Sequence, residues 1–208
     1  MSPAPERLFI AGPAGALEAI VEDPGSAGPS YGVICHPHPL YGGTMDNKVV
    51  TSVARALQSE GIPTLRFNFR GVGASAGGFD QGSGETADAD AVASWGSLRW
   101  PGRTLVIAGF SFGAMVALRL AQQRSARQLI TIAPAIRHVD ASATAMPRCP
   151  WLIVQGDADD VVDPAAVIDW ADQLDPKPRL VVLPGAGHFF HGRLHDLKDA
   201  VIKAIRSG

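Results

Sequence analysis

The chain has 208 residues, 46% of them hydrophobic and 18% charged, and carries a formal net charge of −2; this excludes intrinsic disorder and fits a single domain, residues 1–208. Eighteen basic against twenty acidic residues leave no electrostatic footprint for nucleic acid or an anionic membrane, so neither is expected as a partner. Two cysteines, Cys35 and Cys149, cannot build a disulfide framework, and the opening MSPAPERLFI has neither the basic nor the apolar region of a secretory signal, which predicts a cytoplasmic location.

Glycine and proline, 23 and 16 in number, do not cluster into a linker; they fall between short apolar runs. In chain order, Arg7–Ile10 and Leu17–Val21 flank Gly-Pro-Ala-Gly and read as a hairpin at a sheet edge. Tyr31–Cys35, Thr64–Phe69, Leu105–Ala108, Leu129–Ala133, Trp151–Gln155 and Arg179–Leu183 then have strand length and little polar alternation, as in a parallel sheet covered on both faces. Between them lie helical patterns. Asn47–Ser59 gathers Val49, Val50, Val53, Ala54 and Leu57 on one side, and Glu85–Leu98 sets Ala87, Ala91 and Trp95 four apart. Asp88 and Asp90 of that helix read as a solvated face. Ser111–Gln123, Pro164–Gln173 (opened by an Asp163-Pro164 cap) and Leu194–Ile205 complete the set. Strands alternating with helices predict an α/β fold: a mostly parallel central sheet with helices on both faces and an N-terminal edge hairpin.

Strand Leu105–Ala108 runs into Gly109-Phe110-Ser111-Phe112-Gly113 and then an apolar helix. This is G-x-S-x-G in the strand–turn–helix setting its mechanics need: small flanking residues allow the tight turn that presents Ser111, and the helix N-terminus adds a positive field. A serine hydroxyl needs a base to take its proton. The order Ser, acid, His places the partners after later strands. Trp151–Gln155 leads into a loop holding Asp157, Asp159, Asp160 and Asp163, and Arg179–Leu183 leads into the loop holding His188. His188 is the expected base, since His191 and His195 lie farther on, toward the last helix. Asp163 is better spent on the helix cap; of the remainder Asp159 is chosen, with Asp160 the alternative that spacing does not separate.

With these residues assembled, the chain resembles the α/β-hydrolase superfamily, and more closely the small, cap-less bacterial α/β hydrolases that carry an HPHP-x-x-GG loop. The matching stretches are Cys35–Lys48 (CHPHPLYGGTMDNK), Arg66–Ser75 (RFNFRGVGAS), Gly109–Gly113, Gly156–Val162 and Gly187–Phe190. The superfamily's G-x-x-D-x-x-V pattern falls on Gly156, Asp159 and Val162, which supports Asp159. The resemblance also implies an open site with no cap domain, because only Pro134 to Pro150 separates the two strands where a lid would be inserted. Pro37 departs from the superfamily's H-G loop, where glycine is usual. Pro37 and Pro39 have no N–H and can only stiffen the loop, so the oxyanion donors expected are the amide of Phe112 and that of His38 or Leu40.

The remaining motifs read as structural. His36 and His38 lack the company of a zinc site and serve to orient their loop, so no metal and no cofactor are expected. The Gly71-Val72-Gly73 stretch is a turn beside the site and not a phosphate loop, since a P-loop lysine is missing. Tyr41, Phe189 and Phe190, with Phe79, are candidates to line an acyl pocket. The expected function is a serine hydrolase acting on a small acyl compound, most readily a carboxylic ester. Acyl transfer or perhydrolysis through the same acyl-enzyme, or a non-catalytic ligand-binding role, are the alternatives.

Overall fold

The computed structural model describes residues 4–138 and 146–207. Strands β1 (Glu6–Gly12) and β2 (Gly15–Glu22) form the expected antiparallel hairpin, with Gly12 opposite Gly15 and Pro13-Ala14 at the turn. After them come β3 (Ser30–Cys35), β4 (Thr64–Phe67), β5 (Thr104–Phe110), β6 (Gln128–Ile132), β7 (Trp151–Gly156) and β8 (Arg179–Leu183). All join one eight-stranded sheet in the order β1-β2-β4-β3-β5-β6-β7-β8. β2 meets β4 antiparallel, and every pairing from β4 through β8 is parallel.

Helices α1 (Lys48–Ser59) and α5 (Leu194–Ser207) pack on one face; α2 (Ser83–Arg99), α3 (Phe112–Gln123) and α4 (Pro164–Asp172) pack on the other. β5 shows why the strands lack polar alternation. Its Leu105 and Ile107 enter the core under α2 and α3, while Val106, Ala108 and Phe110 enter the core under α1 and α5. Both pleat faces are therefore apolar, and each large side chain so buried contributes about 2 kcal/mol. This is the α/β-hydrolase fold, with no cap domain among the described residues.

Two expectations are corrected here, the solvated reading of Asp88 and the end of β4. Within α2 Ala87 is exposed and Trp95 packs against the core, and the buried positions are Glu85, Asp88, Ala89, Val92, Ala93 and Gly96 among others. Asp88 accordingly is not solvated. Its fully buried carboxylate accepts from the Arg70 guanidinium (Nε to Oδ2 3.0 Å, Nη2 to Oδ1 2.7 Å) and from the Arg70 amide at 3.0 Å. Asp90, half-buried, pairs with Arg124. These bonds also explain why β4 ends at Phe67, short of the expected Phe69: Phe69 and Arg70 give their amides to the side chains of His36 and Asp88 rather than to a neighbouring strand.

Candidate active site

The site forms at the carboxyl edge of the sheet, where β5, β7 and β8 deliver three loops to one place. The turn from β5 into α3 is as tight as backbone allows. A Cβ on Gly109 would lie 2.1 Å from the Gly113 oxygen, and one on Gly113 would lie 2.3 Å from the His36 oxygen. Between them Ser111 takes φ 55° and ψ −116°, a conformation costly for any residue with a side chain. Its amide donates to Ile132 O at 2.9 Å, tying the turn to β6.

His188 stands after β8 with its ring nearly buried. Its Nε2 lies 3.1 Å from Ser111 Oγ and its Nδ1 lies 2.9 Å from Asp159 Oδ2. The carboxylate can only accept, so Nδ1 carries the ring proton and Nε2 accepts the Ser111 hydroxyl. Asp159 is itself held: Oδ1 accepts from the amides of Val161 (2.9 Å) and Val162 (2.8 Å), and Oδ2 also accepts from Gln155 Nε2 at 3.1 Å. Burial pushes this carboxyl up, but the hydrogen bonds from His188, Val162 and Val161 outweigh it and hold its pKa below the ordinary value.

The competing candidates are placed elsewhere. Asp160 is exposed; Asp157 accepts from the Gly185 amide at 2.6 Å and pins one loop to the next. Asp163 caps α4 through Ala165 at 3.0 Å. His191 is exposed and stacks on Phe189, and exposed His195 lies 3.5 Å from Asp199.

The loop after β3 approaches Ser111 from the other side. His36 is fully buried, donates from Nδ1 to Pro37 O (2.6 Å) and accepts the Phe69 amide on Nε2 (3.0 Å). Burial lowers its pKa to about 4, so the ring is neutral at ordinary pH and joins the loop after β3 to the end of β4. His38 packs its ring against Tyr41, Phe79 and Phe112, with centroids 4.7 to 4.9 Å apart. Leu40 gives its amide to His38 Nδ1 at 3.2 Å. Phe112 is the first residue of α3, so its amide has no acceptor within the helix.

A cleft of about 350 Å³ opens beside Ser111, lined by His38, Tyr41, Phe112, Ile136, Val161 and Val162 together with Ala135, Arg137, Asp163 and Ala166. Tyr41 is where the sequence suggested. Phe190 is not: it is fully buried in the core beneath α5, in a positive-φ turn that swings it inward. Phe189 packs on His188 and Phe110 and stays 45% exposed, outside the cleft lining. The walls supplied by Ile136, Arg137 and Val161 were missed, as were Gln155 and its bond to Asp159. Gln155 alone carried a signal: a polar residue at a buried register of an apolar strand.

An elbow-borne serine within hydrogen-bond reach of a buried, carboxylate-backed histidine, on a mostly parallel sheet, marks the fold class as α/β serine hydrolase. The profile of the family described as "Serine aminopeptidase, S33" matches residues 40–149, and the chain belongs to this family. It is similar to a lid-less α/β serine hydrolase from Xanthomonas campestris (45% identity, TM-score 0.93, covering 100% of this chain and 96% of that one). It is also similar to an α/β serine hydrolase homologue from Coxiella burnetii (43%, TM-score 0.92, 98% and 97%). An uncharacterized protein of Rickettsia prowazekii is 34% identical over 94% of this chain and 86% of its own length. Among the described residues no helix is long and apolar enough to cross a membrane.

Proposed function

We propose that the protein hydrolyses carboxylic esters through an acyl-enzyme on Ser111. The observation that carries this reading is the unbroken chain of hydrogen bonds from Ser111 Oγ through His188 to Asp159, with the serine held in a strained turn. Ser111 attacks the ester carbonyl as His188 Nε2 takes its proton. Asp159 keeps the ring in the productive tautomer and stabilises the imidazolium. The developing oxyanion is met by the Phe112 amide, which has no acceptor within α3, and by a backbone N–H from the loop after β3 at His38 or Leu40. His188 returns the proton to the leaving alcohol. Water, activated by the same ring, then releases the acid.

The small apolar cleft supports a short acyl group or a compact aryl ester as substrate. The name of the matched family favours a second reading, removal of an amino-terminal residue by amide cleavage. Such a substrate brings an ammonium group, and Asp163, the carboxylate among the cleft-lining residues, is already spent on capping α4. The ester reading is therefore preferred. The test is Ser111→Ala against chromogenic short-chain esters and aminoacyl anilides. Turnover of esters by the wild type should fall by more than about a thousandfold in the variant; ester turnover that survives the substitution would reject the proposal.

A further inference from the structure

We infer that Gln155 is a positioning residue for Asp159: its side-chain amide donates to Oδ2, the same carboxylate oxygen that receives the Nδ1 proton of His188, and so sets how strongly that oxygen holds the ring. The inference rests on the reading of the site proposed above.

Gln155 is fully buried near the end of β7, in a strand that otherwise reads Trp-Leu-Ile-Val before its final glycine. Its Nε2 faces two groups that can only accept, Gly156 O and Asp159 Oδ2, each at 3.1 Å. That fixes the amide's orientation and leaves Oε1 buried without a hydrogen-bond partner among the described residues. An orphaned buried carbonyl is a cost to stability that leucine or methionine at this position would not carry. What the glutamine supplies in return is the fourth donor to Asp159. Oδ1 has the Val161 and Val162 amides, and Oδ2 has His188 and Gln155. Without Gln155, His188 is the sole donor left on Oδ2. The carboxylate becomes more basic, draws the Nδ1 proton harder and favours the imidazolium, which is useless as a base.

The other charged or titratable groups around the site are unchanged by substituting Gln155: Asp157, Asp160 and Asp163 on the loop after β7, His191 beyond Phe189, and His38 and Arg137 at the cleft. The experiment is the rate of Ser111 labelling by a fluorophosphonate as a function of pH, for wild type, Gln155→Leu and Gln155→Met, with the thermal midpoint of each. The acid limb should move up by about half to one pH unit in both variants, and the plateau rate should fall about 3- to 10-fold. Thermal midpoints should fall somewhat in both variants, since Gly156 O and Asp159 Oδ2 each lose a donor. An unmoved acid limb in a folded variant overturns the inference, because a merely structural glutamine would lower rate or stability without shifting it. A second readout uses the wild type alone: the Gln155 side-chain amide resonances should titrate with the midpoint of His188, and resonances indifferent to that titration overturn the inference. If wild-type Ser111 goes unlabelled, the proposed function falls first, and the Gln155 resonances decide the positioning role by themselves.

Discussion

Ser111 is held at the head of its turn at a cost in backbone strain. At φ 55° and ψ −116° a side chain crowds its own main chain, at a cost of about 1–3 kcal/mol, and only glycine escapes it. Ser111→Gly should therefore raise stability by about 1 kcal/mol in urea unfolding while abolishing esterase activity; a variant less stable than wild type would show that the turn is not strained. The turn and the loop after β8 are local motifs, which is why Ser111, His188 and the glycines around them stand out in the sequence as candidates. Asp159 and Asp160 could not be separated by spacing, because one residue of loop decides which carboxylate turns inward. Geometry separates them: Asp159 takes four hydrogen bonds and Asp160 is exposed. Phe190 was misread for a related reason. A positive-φ turn reverses the chain just there and sends its ring into the core.

Between elements, much of the binding is done by side chains that reach from one loop to the next. His36 at the end of β3 accepts the amide that ends β4, and Arg70 clasps Asp88 of α2. The lowered pKa of His36 gives this joint a signed dependence on pH. Its folded value is about 4 and its ordinary value 6.5, so the unfolded chain binds the proton more readily in between. Above pH 6.5 the ring contributes no pH dependence; as pH falls from there to about 4, stability is lost, by about 3 kcal/mol in all. Urea unfolding across that window should show the loss in wild type and not in His36→Gln, whereas equal slopes would place His36 outside the buried joint. Asp159, held below the ordinary carboxylate value, loses its contribution only at still lower pH and leaves the window clear. Such long-range pairings are what periodicity does not reveal. The Ala87, Ala91 and Trp95 row looked apolar, yet α2 turns Asp88 inward because Arg70, a partner 18 residues earlier, neutralises it.

Across the whole molecule, the alternation of strands and helices was legible because a mostly parallel sheet covered on both faces demands short apolar strands with crossover helices between them. That architecture brings the loops after β3, β5, β7 and β8 to one edge, and the site lies there. The cleft's far wall, Ile136 and Arg137, follows β6 and has no motif of its own, so only the assembled sheet reveals it. The central claim is that this edge carries an acyl-enzyme on Ser111, and mass spectrometry tests it most directly. Wild-type protein mixed rapidly with p-nitrophenyl butyrate and quenched in acid should gain one butyryl group, mapped to the peptide bearing Ser111, in step with a burst of nitrophenol. Turnover with no adduct and no burst, or an adduct on any other residue, would contradict it.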